Sequence, residues 1–130
     1  MPNGPAVKTS YAPRQVHLEP RSIEKERVFV NPPEVCIGEG KTKLSTVQWI
    51  NNTKKAAWLW MPNGDLFFKK PSQHDFSTPF RIPPEPVPEG ERLTFTVKTD
   101  CEEARSEYQV YCDAITGYAE GHSPPVVHCP

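Results

Sequence analysis

The last quarter of the chain carries side chains that are able to bind a metal ion. Cys112 ends the stretch EYQVYC, His122 follows in a glycine-containing loop, and His74 lies farther upstream. A thiolate combined with imidazole nitrogens is a ligand set for copper or zinc, so Cys112 with His122 or His74 forms one candidate metal site. The neighbouring Asp113 disfavours the thiolate, because a reactive thiol needs cationic surroundings to lower its pKa. The sequence therefore predicts that this corner holds no metal and that the chain has no cofactor.

Two tryptophans give a second candidate site. Trp58 and Trp60 are two residues apart in AAWLWM, and on a strand this spacing places both rings on one face. On an inner face they would belong to the core. On an outer face, with Phe68 nearby across a hairpin at Asn63-Gly64, they would form an aromatic platform that stacks sugars or binds apolar side chains of a partner.

Short strands are the elements that would position these residues. ERLTFTVK alternates, with Leu93 and Phe95 on one face, and EYQVYC places Val110 and Cys112 on one face. The 16 prolines argue against helices, and Asn63-Gly64 is the strongest hairpin signal. Residues 71–90 are too rich in proline for regular structure and predict a long crossing loop. The pattern predicts an all-β Greek-key β-sandwich of about seven or eight strands.

The N-terminal residues lack any clear periodicity. Pro2, Pro5, Pro13 and Pro20 stand among polar residues, which predicts an extended arm over residues 1–25 and one β-sandwich domain over residues 26–130. No apolar run approaches the length of a membrane span, so we expect a cytoplasmic chain without membrane contact. The net charge of −1 provides no basic field for binding nucleic acid.

The remaining motifs depend on the compartment. There is no CxxC pair among the four cysteines, which disfavours a structural zinc site, and a Cys36–Cys129 disulfide is expected only if the protein is exported. Asn51-Asn52-Thr53 matches the N-glycosylation sequon, but the motif has no meaning in the cytoplasm.

The glycine-rich turn, the segment VQWINNT and the terminal EYQVYC followed by a closing strand together resemble the cupredoxin family. An immunoglobulin-like sandwich would share much of this pattern. In cupredoxins, the strand end that corresponds to Cys112 supplies the copper thiolate, and a histidine follows on the same loop. Here the residues that follow are Asp113, Ala114, Ile115 and Thr116, and no histidine stands near Ala57, where the resemblance implies the upstream ligand.

Three functional hypotheses follow. No Ser/His/Asp arrangement has a defined spacing, so we do not expect an enzyme. The first hypothesis is a non-enzymatic accessory or protein-interaction module with a degenerate cupredoxin-like metal corner and an unidentified protein partner. The second is a copper or other metal-binding redox protein that uses Cys112 with His122 or His74. The third is a carbohydrate-binding module that uses Trp58 and Trp60.

Overall fold

The computed structural model describes residues 14–22, 26–37, 46–71, 75–98, 102–121 and 124–129, and over these ranges the fold is all-β. Two 3₁₀ turns, Gly64–Leu66 and Glu89–Glu91, lie in the connections between strands. Among the described residues, no helical segment has the length and apolar character of a membrane span. The strands are β1 (Arg14–Ser22), β2 (Glu26–Asn31), β3 (Glu34–Cys36), β4 (Thr46–Asn51), β5 (Ala57–Trp60), β6 (Phe80–Ile82), β7 (Leu93–Thr96), β8 (Ala104–Glu107), β9 (Gln109–Cys112), β10 (Gly117–Tyr118) and β11 (Val126–Cys129).

These strands form three sheets that enclose a single apolar core. One sheet has the order β2-β1-β4-β7, the second has the order β10-β9-β5-β6, and the third has the order β3-β11-β8. Most of the strands contribute alternate residues to the same buried cluster, as the two-residue period of a strand requires. The chain passes from the first sheet to the second between β4 and β5.

Aromatic rings fill the centre of the core. The Trp49 ring stacks on Tyr108, with 5.7 Å between ring centroids, and meets the Phe95 ring edge-on at 5.9 Å. Phe68 and Phe80 also pack against Phe95, at 5.2 Å and 4.9 Å. Such pairs each contribute about 0.5–1.5 kcal/mol beyond the burial of their area. The core is therefore held by side chains from segments distant in sequence.

The predicted N-terminal arm differs most from the structure. Within residues 1–25, Arg14–Ser22 form β1, which lies between β2 and β4 and buries Val16 and Leu18 almost completely; residues 1–13 and 23–25 lie outside the described ranges. β1 tolerates Pro20 because the pairing with β4 ends at Leu18, so the missing N–H is not needed on that side. In this segment only Val16 and Leu18 alternate with polar residues before Pro20, and so short a pattern did not predict a strand.

The predicted hairpin at Asn63-Gly64 is wrong. These residues enter the 3₁₀ turn at Gly64–Leu66, and β5 pairs with β6 and β9 rather than with the segment that follows the turn. Gly64 is needed here for space, because a Cβ atom at this position would lie 2.6 Å from Cε1 of the buried Phe76 ring. The chain does turn at this dipeptide, but the turn is a 3₁₀ turn packed against Phe76 rather than a hairpin loop.

The strand count also exceeds the predicted seven or eight. β6 lies inside the proline-rich segment 71–90, β8 covers part of the predicted turn CEEARS, and β10 follows a tight turn after Cys112. All three are short and are defined by their partners rather than by their own sequence pattern.

The side chain of Asn51 joins the first sheet to the second. Its Nδ2 group donates to the carbonyl oxygens of Lys55 (2.8 Å) and Ile82 (3.0 Å), and its Oδ1 atom accepts from the N–H and the hydroxyl of Thr53. The Asn51 carbonyl accepts the N–H of Glu85. Asn51 is 0% exposed, so the sequon at this position is structural and the folded chain leaves no room for a glycan on its amide.

We expect Asn51→Ala to lower the free energy of unfolding by about 2–4 kcal/mol, because it removes four side-chain hydrogen bonds and leaves the buried Ile82 carbonyl without this donor. Urea unfolding followed by circular dichroism measures this change. The matched control is Asn52→Ala. The Asn52 amide is exposed and contacts only Nδ1 of His17 among side chains of the described chain, so a loss below about 0.5 kcal/mol is expected there. Equal losses in the two variants would contradict the account.

Gly64→Ala is expected to destabilise the protein by about 1–3 kcal/mol, because the new methyl group displaces the Phe76 ring from a close-packed site. Gly90→Ala is the control, since nothing lies within 4 Å of a Cβ atom at Gly90. Thermal unfolding of both variants compares them, and an unchanged transition in Gly64→Ala would show that the turn does not pack as described.

Candidate functional site

The outer face of the β10-β9-β5-β6 sheet carries a group of aromatic side chains that we call the aromatic face: Trp58, Trp60, Tyr111 and Tyr118. On β5, Ala57 and Leu59 point into the core, so the alternating Trp58 and Trp60 point outward. The same alternation on β9 buries Val110 and Cys112 and turns Tyr111 outward.

Exposed apolar surface is concentrated on this face. Within the described ranges the large hydrophobic residues classed as exposed are Trp58 (36%), Trp60 (44%), Tyr118 (60%) and Leu66 (47%). Three of these four belong to the aromatic face, whereas Leu66 lies in the 3₁₀ turn that follows β5. Contiguous exposed apolar patches of this kind mark binding sites more often than isolated residues do.

Strand register aligns these side chains in a row across the sheet. Tyr118 on β10 lies opposite Tyr111 on β9, Tyr111 lies opposite Trp58 on β5, and Trp58 lies opposite Arg81 on β6. Adjacent strands are about 4.8 Å apart, so the four positions span about 14 Å. Trp60 extends the face along β5, opposite Gln109.

Two contacts orient rings within the row. The indole Nε1 of Trp58 donates a hydrogen bond of 3.2 Å to Oδ2 of Asp113. The Tyr111 and Tyr118 rings meet edge to face with centroids 5.3 Å apart. The turn between β9 and β10 ends at Thr116, whose φ of 50° is unusual for a β-branched residue, and this turn returns the chain so that Tyr118 faces Tyr111.

The rings surround a shallow depression of about 200 Å³, which Pro79 and Gln109 also line. This volume is below the roughly 300–1,000 Å³ of clefts that enclose small molecules. The aromatic face is therefore an open platform on which a ligand would lie. Polar groups stand at its edges, namely the Gln109 amide, the Arg81 guanidinium and the Asp113 carboxylate.

Phe68, the third residue predicted for an aromatic platform, does not reach this face. It is fully buried and packs against Phe95 in the core. Its predicted position depended on the hairpin at Asn63-Gly64, which does not form. Tyr111 and Tyr118 were missed as partners of the tryptophans, because their proximity depends on the pairing of β9 with both β5 and β10. The outward alternation of Tyr111 in EYQVYC was the available signal for one of them.

Cys112, the candidate metal ligand, is a buried thiol at the end of β9. Burial, reinforced by the negative charge of Asp113, raises the pKa of its thiol to about 11. Its cross-strand partners are Ala57 and Gly117, neither of which can bind a metal through its side chain. The surroundings of Cys112 therefore favour the protonated thiol over the thiolate that copper requires.

The other two candidate ligands, His122 and His74, lie outside the described residues. Within the described ranges, no group of three or more His, Cys, Asp and Glu side chains is arranged to hold a metal ion.

A disulfide is present, but not between the pair that the sequence suggested. Cys129 is disulfide-bonded, whereas Cys36 is not part of any disulfide. Strand register explains this result, because Cys36 lies opposite His128, the residue before Cys129. Neighbouring residues of a strand point to opposite faces, so Cys36 and Cys129 do not face each other.

Comparison of the chain with protein-family models, curated proteins and solved structures gives no match.

We expect Cys112 to remain protonated at neutral pH and to ionise with a midpoint near pH 11. The measurement is the difference in thiolate ultraviolet absorbance between Cys36→Ser and Cys36→Ser/Cys112→Ser during a pH titration, in which tyrosine ionisation cancels. The same pair in guanidinium chloride should titrate near the ordinary value of about 8.5. A midpoint below about pH 8 in the folded protein would contradict the account and favour a reactive or metal-binding thiolate.

Proposed function

We propose that this protein is a non-enzymatic carbohydrate-binding module that holds a glycan chain on the aromatic face. The observation that carries the proposal is the row of Tyr118, Tyr111 and Trp58 on the outer side of one sheet, with Trp60 beside it.

The chemistry of the face matches that of a sugar. A pyranose ring has an apolar side made of C–H groups and an edge of hydroxyl groups. The flat rings of tryptophan and tyrosine can pack against the apolar side, and each also carries a polar group. The amide of Gln109, the guanidinium of Arg81 and the carboxylate of Asp113 offer both donors and acceptors to the hydroxyl groups.

The dimensions favour an extended ligand. Trp58 and Trp60 are separated by about 6.6 Å along β5, and the row from Tyr118 to Arg81 spans about 14 Å across the strands. Several sugar units would fit over an area of this size. The open shape of the depression also suits a chain that continues beyond the protein at both ends.

A protein partner, the first hypothesis from the sequence, suits this face less well. Protein interfaces share Trp, Tyr and Arg with it, but their fully buried centres are more apolar than the rest of a protein surface. The described residues that point outward from β5, β6 and β9 are Trp58, Trp60, Arg81, Gln109 and Tyr111, and none of these is aliphatic. A face made of amphipathic aromatic rings and polar side chains, without aliphatic ones, favours a glycan over a protein partner.

For the frame, we propose a Greek-key β-sandwich of the cupredoxin type that has kept a degenerate metal corner without its metal. The shared core between two four-stranded sheets supports a sandwich. The position of Cys112, at a strand end and opposite Ala57, supports the likeness to the cupredoxin corner, and its high pKa supports a corner that works without copper.

The disulfide at Cys129 bears on the location. Disulfides persist in oxidising compartments and are rare in the cytosol. It therefore supports an exported protein rather than the cytoplasmic one that the sequence suggested, and an exported protein would meet extracellular or cell-wall glycans.

The proposal predicts saturable binding to at least one member of a panel of hexasaccharides: β-1,4-linked glucose, N-acetylglucosamine and xylose, and α-1,4-linked glucose. Isothermal titration calorimetry measures the affinity. Trp58→Ala and Trp60→Ala should each weaken binding by about 30-fold, the effect of removing a residue that contributes about 2 kcal/mol.

Leu66→Ala is the matched control, since it removes an equally exposed apolar side chain outside the aromatic face and should leave the affinity unchanged. Circular dichroism verifies that each variant is folded. The proposal fails if no hexasaccharide binds, or if binding survives the loss of both tryptophans. A protein that is retained by the wild type, but not by Trp58→Ala/Trp60→Ala, in the absence of glycan binding would favour the protein-interaction hypothesis instead.

A further inference from the structure

A second cavity lies away from the aromatic face, where the β1–β2 pair meets the turn between β4 and β5. It has a volume of about 280 Å³. Its floor is apolar and includes Val28, Ala114 and Ile115, and four cationic side chains line it, namely Arg21, Arg27, Lys54 and Lys55. Glu26 also contributes a carboxylate to the lining. The whole chain has a net charge of −1, so the positive charge around this cavity is a local feature and not a property of the whole surface.

The two arginines are anchored by neighbouring groups. Arg27 forms a two-pronged ion pair with Glu120, and Arg21 lies 3.4 Å from a carboxylate oxygen of Glu19. Both guanidinium groups also pack over the Phe29 ring, and their distances from the ring centroid are 4.7 Å for Arg21 and 5.0 Å for Arg27. These contacts hold both guanidinium groups at the cavity lining.

The two lysines differ from the arginines because neither forms an ion pair with a side chain of the described chain. Their backbone is nevertheless fixed. The Lys55 carbonyl accepts hydrogen bonds from Nδ2 of Asn51 and from the hydroxyl of Thr53, at 2.8 Å and 2.9 Å. The buried Asn51 network therefore holds a turn that presents at the cavity two ammonium groups, neither of which pairs with a carboxylate of the described residues.

We propose that this cavity binds a small organic anion that joins a negatively charged head group to an apolar body. The head group would lie between the two lysines, where charge-assisted hydrogen bonds form. The apolar body would cover the half-buried Ala114 and Ile115 and remove them from water. The site is separate from the aromatic face and does not depend on the glycan proposal.

Phenyl phosphate is a suitable probe, because it combines a phosphate monoester with an aromatic body. We expect saturable shifts in the backbone amide NMR signals of Lys54, Lys55, Ala114 and Ile115 when it is titrated into the ¹⁵N-labelled protein. Inorganic phosphate, which has no apolar body, and phenol, which has no charge, should both bind more weakly. Binding should also weaken as salt is raised, because the Debye length shortens.

Lys54→Gln and Lys55→Gln should each weaken phenyl phosphate binding by about fivefold, which corresponds to removing one unit charge at about 4 Å in water. Lys69→Gln and Lys70→Gln are the matched controls, because Lys69-Lys70 is a second exposed lysine pair outside the cavity lining, and they should change the affinity by less than about twofold. All four lysines are exposed, so the variants should fold.

Four results would overturn the proposal. Three of them are no saturable shift, equal loss of affinity in both lysine pairs, and equal affinity for phenol and phenyl phosphate. Equal affinity for inorganic phosphate would also overturn it, because the apolar floor would then contribute nothing.

Discussion

The hydrogen bonds of the buried Asn51 side chain are the constraint on which both candidate sites depend. Asn51 is the last residue of β4, in the first sheet, and it bonds to the carbonyl of Ile82, which ends β6 in the second sheet. It also closes the turn through Thr53 and Lys55 that leads into β5. An asparagine is suited to this position, because its amide supplies both donors and an acceptor to backbone groups that water does not reach. The connection between the sheets is therefore defined by polar contacts inside an apolar core.

The two sites lie on either side of this connection. The turn presents Lys54 and Lys55 at the cavity beside β1 and β2, and the chain then enters β5 with Ala57 turned inward. Because side chains of a strand alternate, an inward Ala57 requires Trp58 and Trp60 to face outward. A shift of one residue at this connection would bury the tryptophans and expose Ala57 and Leu59. The register that the Asn51 network fixes thus decides where the aromatic rings lie.

The alternation within single strands could be predicted from the sequence, but partnerships between strands could not. The patterns around Phe95 and Val110 indicated β7 and β9 and the faces that they bury. The pairing of Trp58 and Trp60 on one face was also evident, but a two-residue period does not tell which face lies inside. That choice depends on the pairing of β5 with β9 and β6, which lie far along the chain. β1 was missed although Val16 and Leu18 alternate with polar residues, because its pairing with β2 and β4 cannot be read from the sequence.

The most direct test of the aromatic face is an NMR titration of the three tryptophan indole N–H signals with the hexasaccharide panel. Trp49 is buried in the core and serves as an internal reference. The account predicts that the signals of Trp58 and Trp60 shift and saturate with a common dissociation constant, while that of Trp49 stays in place. If the signals of Trp58 and Trp60 are unchanged by every hexasaccharide at millimolar concentration, the aromatic face does not bind glycans and the account is contradicted.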